Sequence, residues 1–561
     1  MTELDHLPRP MRTSRRAFLA AALAGATAAL LDPTSLASAR TRARALAPGE
    51  LFPLGVASGD PADTSVILWT RLLSPDPGDP LPDADIAVDW EVATDAGFTN
   101  VVASGTAPAV AALAHSVHVD ATGLSPDTAY WYRFSADGRT SAEGRTRTFP
   151  GAGSTPDEVR FALASCQNWS AGYYVAHAAI AVEDIDFVVF VGDYIYERSS
   201  TSGVRPITLP ESVDLPTYRA RYELYKGDAN LRAAHAAFAW IVTMDDHEVA
   251  NNVLGDNGQD GEAAGDPAAI AAYLERRADA FQAWYEHQPL RLEVPSGPDY
   301  QLYRTIVHSD LLRLFVLDGR QYRSLYPGGA SAGPDSPERF AESQTMLGAD
   351  QEAWLDSEFD ATDARWNVIA QQTVMAATPF STGDVKVYNL DQWDGYVAAR
   401  NRLLRSLVAN RVRNPIVLTG DIHVAGATSV RLDYDDPDAP DIAYEVVCTS
   451  ISSGGNAAIA DLFEGVVASL PWVRHVNARQ RGYSVVTLRP DGGTADYRVM
   501  ASALEPTSTV STDFTDVLAD REPIALPLPP VTTTTTQPTS RRPAPIAPGA
   551  TPVPGVATYT G

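Results

Sequence analysis

The chain has 561 residues, 45% of them hydrophobic and 20% charged, with a net charge of −27 and a pI of about 4.7. That is ordinary globular material, long enough for two domains. Its acidity excludes nucleic acid or anionic lipid held through bulk charge, so an anionic ligand would need a local cationic feature such as a metal.

The chain opens on a basic arm, with seven Arg against Glu3, Asp5 and Asp32 in the first 47 residues. Arg15-Arg16 precede Phe18-Leu19 and an Ala-rich apolar run to Leu31, too short and small-sided for a spanning helix. Small-x-small sequences at 37–39 and 43–47 offer cleavage sites, and residues 1–47 look like a twin-arginine signal peptide. The reading predicts export of the folded chain by the twin-arginine machinery. The mature protein is then secreted or cell-wall-associated, with no transmembrane anchor.

Residues 50–150 are predicted to be all-β, with strands over 64–72, 86–95, 115–124 and 129–138 between Pro, Gly and Asp turns. The segment GLSPDTAYWYRF (123–134) resembles the corner of a fibronectin type III domain, with Tyr130 as the closing tyrosine. A small fibronectin-III-like β-sandwich is therefore expected here. After a linker over 149–158, a second domain (155–510) has an α/β texture. Apolar runs at 159–164, 185–191, 238–243, 311–317, 366–370 and 415–419 have parallel-strand character, and helical stretches such as 268–288 lie between them. Residues 525–561 are Thr- and Pro-rich and lack a hydrophobic end, which predicts a disordered tail. The two cysteines, Cys166 and Cys448, are expected to be unpaired, Cys448 as a small buried hydrophobe.

Five of these apolar runs stop on groups that can bind metal. They end in Cys166; in Asp193 and Tyr196; in Asp245, Asp246, His247, Glu248 and Asn252; in Gln371 and Gln372; and in Asp421 and His423. The run at 311–317 ends in Asp318, Arg320 and Arg323. Carboxyl ends of strands gather ligands in open α/β sheets, so groups distant in sequence should converge there. Gly192 eases a turn that sets Asp193 and Tyr196 together, and Asp421 and His423 stand two apart, as on one face of an extended segment. A carboxylate can bridge two cations, and a phenolate favours a strongly acidic ion such as Fe(III).

This order of strand ends resembles the calcineurin-like and purple-acid-phosphatase-like metallophosphoesterases, and its altered residues resemble the PhoD-type alkaline phosphatases. The resemblance runs from about 50 to 505 and includes FPLGVASGDP (52–61), YRARYELY (218–225) and LDGRQYR (317–323). It implies a metallophosphoesterase α/β/β/α sandwich. It also implies Fe(III) held by Cys166, Asp193, Tyr196 and His423, with Ca2+ around a bridging Asp193, Asp246, Asp421 and Gln371 or Gln372. The oxygen ligands of that second group suit a hard ion such as Ca2+.

The activity implied is metal-assisted hydrolysis of small phosphate esters, secreted for phosphate scavenging. His247 is expected either to stabilise the phosphoryl group or protonate the leaving alkoxide, or to act structurally beside the metals. Arg320 or Arg323 is expected to clamp phosphate or to pair with Asp318 or another acid. The alternatives are a phospholipase-D-like phosphodiesterase and, in a different class, a cell-surface binding protein with structural metals.

Overall fold

The computed structural model describes residues 50–74, 80–381, 385–455 and 457–524. The signal peptide expected over 1–47 and the tail expected over 525–561 lie outside the described residues. Among the described residues no helix is long and apolar enough to cross a membrane.

Two sheets face each other. The nine-stranded sheet runs in the order Val510–Ala519, Gly492–Met500, Gly482–Arg489, Val159–Ala164, Phe187–Phe190, Ala239–Val242, Val56–Gly59, Ser65–Arg71, Ser116–Thr122. The seven-stranded sheet runs Arg304–Val307, Leu312–Val316, Trp366–Ala370, Pro415–Thr419, Ala443–Val447, Ala425–Val430, Val473–Asn477. All six apolar runs singled out in the sequence are strands, and they form the parallel centres of the two sheets.

Alternation along each strand divides its side chains between two layers. Phe161, Leu163, Phe187 and Val189 from the first sheet meet Leu314, Val316, Val368 and Leu418 from the second in the central core. The other face of the first sheet, with Ala162, Phe190 and Trp240, packs on helices Leu215–Lys226, Ala229–Ala237 and Pro267–His287. The other face of the second sheet, with Phe315, Ile369 and Val417, packs on Gly348–Ala361 and Val397–Ala409. The layers are helix, sheet, sheet, helix. The helix expected over 268–288 starts where the Asp266 side chain accepts from the N–H groups of Ala268 and Ala269.

In the N-terminal part, a separate sheet is built around Ile86–Ala93, Val101–Ala109 and Ala129–Ala136. Its Val88, Val92, Tyr132 and Phe134 pack on Val66, Leu68, Val117 and Val119. The tyrosine corner is present, since the Tyr130 hydroxyl accepts from the Ser125 N–H at 2.8 Å. The second layer of this sandwich is the end of the nine-stranded sheet itself. Val56–Gly59 pairs in parallel with Ala239–Val242 and antiparallel with Ser65–Arg71, joining the two parts by backbone hydrogen bonds.

Candidate metal centre

The site is made where the parallel strands end. Gly192 follows Phe187–Phe190 at φ +103°, and a Cβ there would stand 2.4 Å from the Cβ of Asp245, so only glycine lets the two strand ends approach this closely. Cys166, Asp193, Asp421 and His423 all have left-handed backbone, with φ of 58°, 57°, 61° and 56°. Such conformations cost a residue with a Cβ about 1 kcal/mol or more and concentrate at functional sites. Here they are held by the ladder beyond the strands. The Cys166 N–H donates to Gly192 O at 3.1 Å and the Gln167 N–H to Asp193 O at 3.0 Å. Asp421 and His423 are therefore not on an extended segment, as their spacing suggested. Their side chains are aimed by two left-handed residues in one turn.

Two groups of ligand atoms converge. Donor atoms of Cys166, Asp193 and His423 lie within 4.8 Å of one another, as do those of Asp193, Asp245 and Asp246. Asp193 belongs to both. The Tyr196 hydroxyl joins the first group, 2.9 Å from Asp193 Oδ2 and 3.1 Å from His423 Nε2. Cys166 and Cys448 are both free thiols, Cys448 lying 3.3 Å from the Ser165 hydroxyl.

Burial and mutual repulsion act on these groups together. Burial, with Asp193 close by, pushes the Cys166 thiol well up, and burial with Asp193 and Cys166 does the same to the Tyr196 phenol. The Asp193 carboxyl is raised by burial above all, then by Asp246, Asp245 and Glu248, against the pull of His247. Burial and then Arg481 lower His423 to about 3, leaving a neutral imidazole. Asp245 Oδ2 is buried without a hydrogen-bond partner. A cation would relieve this repulsion and take up that oxygen, so the residues fit a metal.

Several residues fall elsewhere than expected. Of the two roles expected for it, Arg320 takes the pairing with acids and does not reach out as a phosphate clamp. Its guanidinium spans Asp245 at 2.5 Å, Asp391 at 2.9 Å, Asp421 at 3.0 Å and Asp246 at 3.3 Å, and it is buried. Asp318 takes only the backbone N–H of Arg320 and contacts of Gln321. Arg323 reaches Gly319 O through Nε and Asp391 through Nη1, while its Nη2 is buried without a hydrogen-bond partner. Gln371 does not turn to the acids: its oxygen accepts from the Thr373 N–H and Trp393 Nε1, and its nitrogen donates to Thr373 O and Thr419. Gln372 is equally engaged, with Gly319, Met244 and Leu317. The carboxamide that meets the cluster is Gln392, which donates to Asp421 Oδ2 at 2.6 Å while accepting from the Val374 N–H.

Two further acids organise the site: Glu248, which the sequence offered as a possible metal ligand, and Glu197, to which it gave no role. Glu248, completely buried, accepts the N–H groups of Asp193, Tyr194 and Asp245 at 3.1, 2.5 and 2.8 Å and so ties two strand ends together. Burial raises its carboxyl to about 7 against those backbone donors. Glu197 Oε2 lies 2.6 Å from His247 Nδ1. Burial opposes charge on both, but their attraction prevails, raising His247 well above its ordinary value and holding Glu197 at about 2. The His247 ring lies on that of Tyr196 with centroids 4.1 Å apart, and its backbone N–H points to Asp193 Oδ1 at 3.3 Å. An acid directly after Tyr196 and another directly after His247 were the only sequence signals of these roles.

Facing sheets with acids, histidine, phenol and thiol converging at parallel strand ends define an α/β metallophosphoesterase. Residues 161–497 match the family described as PhoD-like phosphatase, and residues 36–150 match its N-terminal domain. The chain belongs to the PhoD-like phosphatase family. It is 42% identical over 472 residues to alkaline phosphatase D of Bacillus subtilis (strain 168), covering 82% of this chain and 79% of that one. A solved structure described as PhoD superposes with a TM-score of 0.79 at 41% identity, over 85% of this chain and 92% of the other. The chain is thus a phosphoric ester hydrolase of the alkaline phosphatase type, an enzyme and not the binding protein left open by the sequence. PhoD-like phosphatases are metal-dependent, in keeping with the converged ligands.

Proposed function

We propose that the protein is an exported phosphatase and phosphodiesterase that releases phosphate from extracellular organic esters at an Fe(III)–Ca2+ centre. Cys166, Asp193, Tyr196 and His423 would hold the iron, since thiolate, phenolate, carboxylate and imidazole around one point suit a strongly acidic soft-tolerant ion. Asp193, Asp245, Asp246 and Asp421 would hold Ca2+, being oxygen donors only. Gln371 is left out of this set because its carboxamide is consumed within its own turn. The observation that carries the reading is Asp193, shared by both groups of converged ligands.

When bound, the cations supply Lewis acidity to the phosphate oxygens and to a water. The chain's own residues do the rest. His247 holds a proton because Glu197 faces its Nδ1, and its ring, on that of Tyr196 beside Asp193, would donate to the phosphoryl oxygen or the departing alkoxide. Arg320 keeps Asp245, Asp246, Asp391 and Asp421 from repelling one another, a positioning role and not substrate contact. Export by the twin-arginine route rests on Arg15-Arg16 and the apolar run behind them.

The test is hydrolysis of chromogenic phosphate mono- and diesters at alkaline pH with added Ca2+, before and after chelation, alongside metal analysis. Turnover lost on chelation and restored by Ca2+, with iron in the protein, is the expected result. Chelator-resistant turnover would overturn the metal reading. Iron retained in full by Tyr196→Phe would remove that ligand.

A further inference from the structure

The loop over 450–454 touches three of the four residues assigned to iron. Gly454 O lies 2.8 Å from His423 Nδ1, which as N–H donor fixes the tautomer and makes Nε2, 3.1 Å from the Tyr196 hydroxyl, the unprotonated nitrogen. The N–H groups of Ser452 and Ser453 both point to Cys166 O, at 3.4 and 3.2 Å. The Ser453 hydroxyl, on a side chain that is buried, lies 2.7 Å from the Tyr196 hydroxyl and 2.8 Å from Cys166 O. It also accepts from the Asn168 N–H at 3.0 Å.

A hydroxyl has one proton to give. Cys166 O has no proton of its own, so at 2.8 Å it shares the Ser453 proton with the Tyr196 oxygen at 2.7 Å. The Asn168 N–H donates to Ser453 and the Tyr196 O–H donates to Asp193 Oδ2. A cation bound by Tyr196 would displace the phenol proton to solvent, and the phenolate, as the charged acceptor, would then take the Ser453 proton in preference to Cys166 O.

We infer that Ser453 is a positioning residue for the reaction: its hydroxyl donates to the Tyr196 oxygen and sets how much electron density that oxygen gives to the metal. The inference rests on the proposed iron site. It assigns to the 450–454 loop, which carries no metal ligand, control over the electrophilicity of the centre.

The test is the visible phenolate-to-iron absorption of iron-loaded Ser453→Ala, with iron content, thermal midpoint, kcat and KM. Without the donor, the phenolate becomes the stronger electron donor, so the band moves to longer wavelength. Loss of an outer hydrogen bond to a metal ligand lowers activity roughly 10- to 100-fold. That loss should fall on kcat with KM little changed. Ser453→Thr, which keeps the hydroxyl, should return the band toward its original position. Ser453→Cys, of similar size with a weak donor, serves as the same test should the alanine variant fail to fold. A band that does not move in an iron-loaded variant overturns the inference and leaves the iron site standing. A wild-type protein with neither iron nor colour removes both.

Discussion

Replacing Glu248 by Gln should separate the acid that organises the site from acids that merely stabilise the fold. Glu248 uses both oxygens to accept three backbone N–H groups, from Asp193, Tyr194 and Asp245. A glutamine can keep one oxygen on the Asp193 and Asp245 donors, which share Oε2, but its amide nitrogen must then face the Tyr194 N–H. One buried donor left unpaired costs about 1–3 kcal/mol, and the opposing amide adds a second unpaired donor. The sum is roughly 3 kcal/mol, which at an unfolding entropy near 1 kcal/mol per degree for a chain of this size lowers the thermal midpoint by only about 3 °C. The larger consequence is geometric. Both strand ends carry metal-facing acids, and a displacement of about 1 Å in a catalytic site costs on the order of 100-fold in rate. The assay is kcat/KM for a chromogenic phosphate ester, with Glu445→Gln as the comparison. Glu445 is also completely buried and accepts two backbone N–H groups, from Met375 and Ala376, but its other partners are Thr419 and Thr428. That variant should lose similar stability and little activity. Equal kcat/KM in the two variants would refute the reasoning.

Gly192→Ala should cost about 1–3 kcal/mol from crowding Asp245, plus about 1 kcal/mol of left-handed strain, and lower kcat/KM sharply. Gly153→Ala, at φ +80° with nothing within 4 Å, should show the strain alone in its denaturation midpoint. Lys226 is buried over the Trp69 ring at 4.3 Å and pairs with no carboxylate among the described residues, and burial lowers its pKa well below the usual range. Lys226→Met should therefore be stabilising by about 1–2 kcal/mol in urea denaturation, and a loss of more than about 1 kcal/mol would mean the ammonium has an anionic partner. His308, buried against Phe149 and Phe187, is lowered to about 4 by burial, with Asp186 and Asp127 opposing. The fold keeps it neutral while the unfolded chain binds a proton near 6.5, so its contribution is intact above about pH 7 and is lost as pH falls toward 4. At pH 5 the difference is about 2 kcal/mol. The His308→Phe variant should lose about that much less stability between pH 7.5 and 5.0 than the parent, and an equal loss would refute the assignment.

What the sequence made legible is what the chain must signal locally. A buried parallel strand has to be an apolar run, and a polar residue straight after it is conspicuous because burial disfavours it. Cys166, Asp193, Tyr196, Asp246, Asp421 and His423, which the fold brings together, were singled out in this way. The strand Val101–Ala109 escaped because it is largely exposed, rich in Ala, Gly and Pro, and lacks an apolar alternation. The pairing of Val56–Gly59 with Ala239–Val242 escaped because nothing in either segment names a partner some 180 residues away.

The harder omissions share one cause. Gln371 and Gln392 have identical chemistry, and only the turn that each closes decides which one faces Asp421. Arg320 could be read as a phosphate fork or as the partner of an acid, and only the fold shows that it meets four carboxylates. Glu197 reads locally as an ordinary acid on a loop, and Glu248 as one more possible metal ligand at its strand end. Most of their work is done on the Asp193 and Tyr194 N–H groups and on an imidazole, 50 or more residues away in the chain. Groups that bind a ligand must carry its chemistry in their own side chains, and so they can be named from composition and order. Groups that hold those side chains in place need only one oxygen or one N–H at the right point. That requirement is met by common residues, which is why the second layer of the site had to be read from the fold.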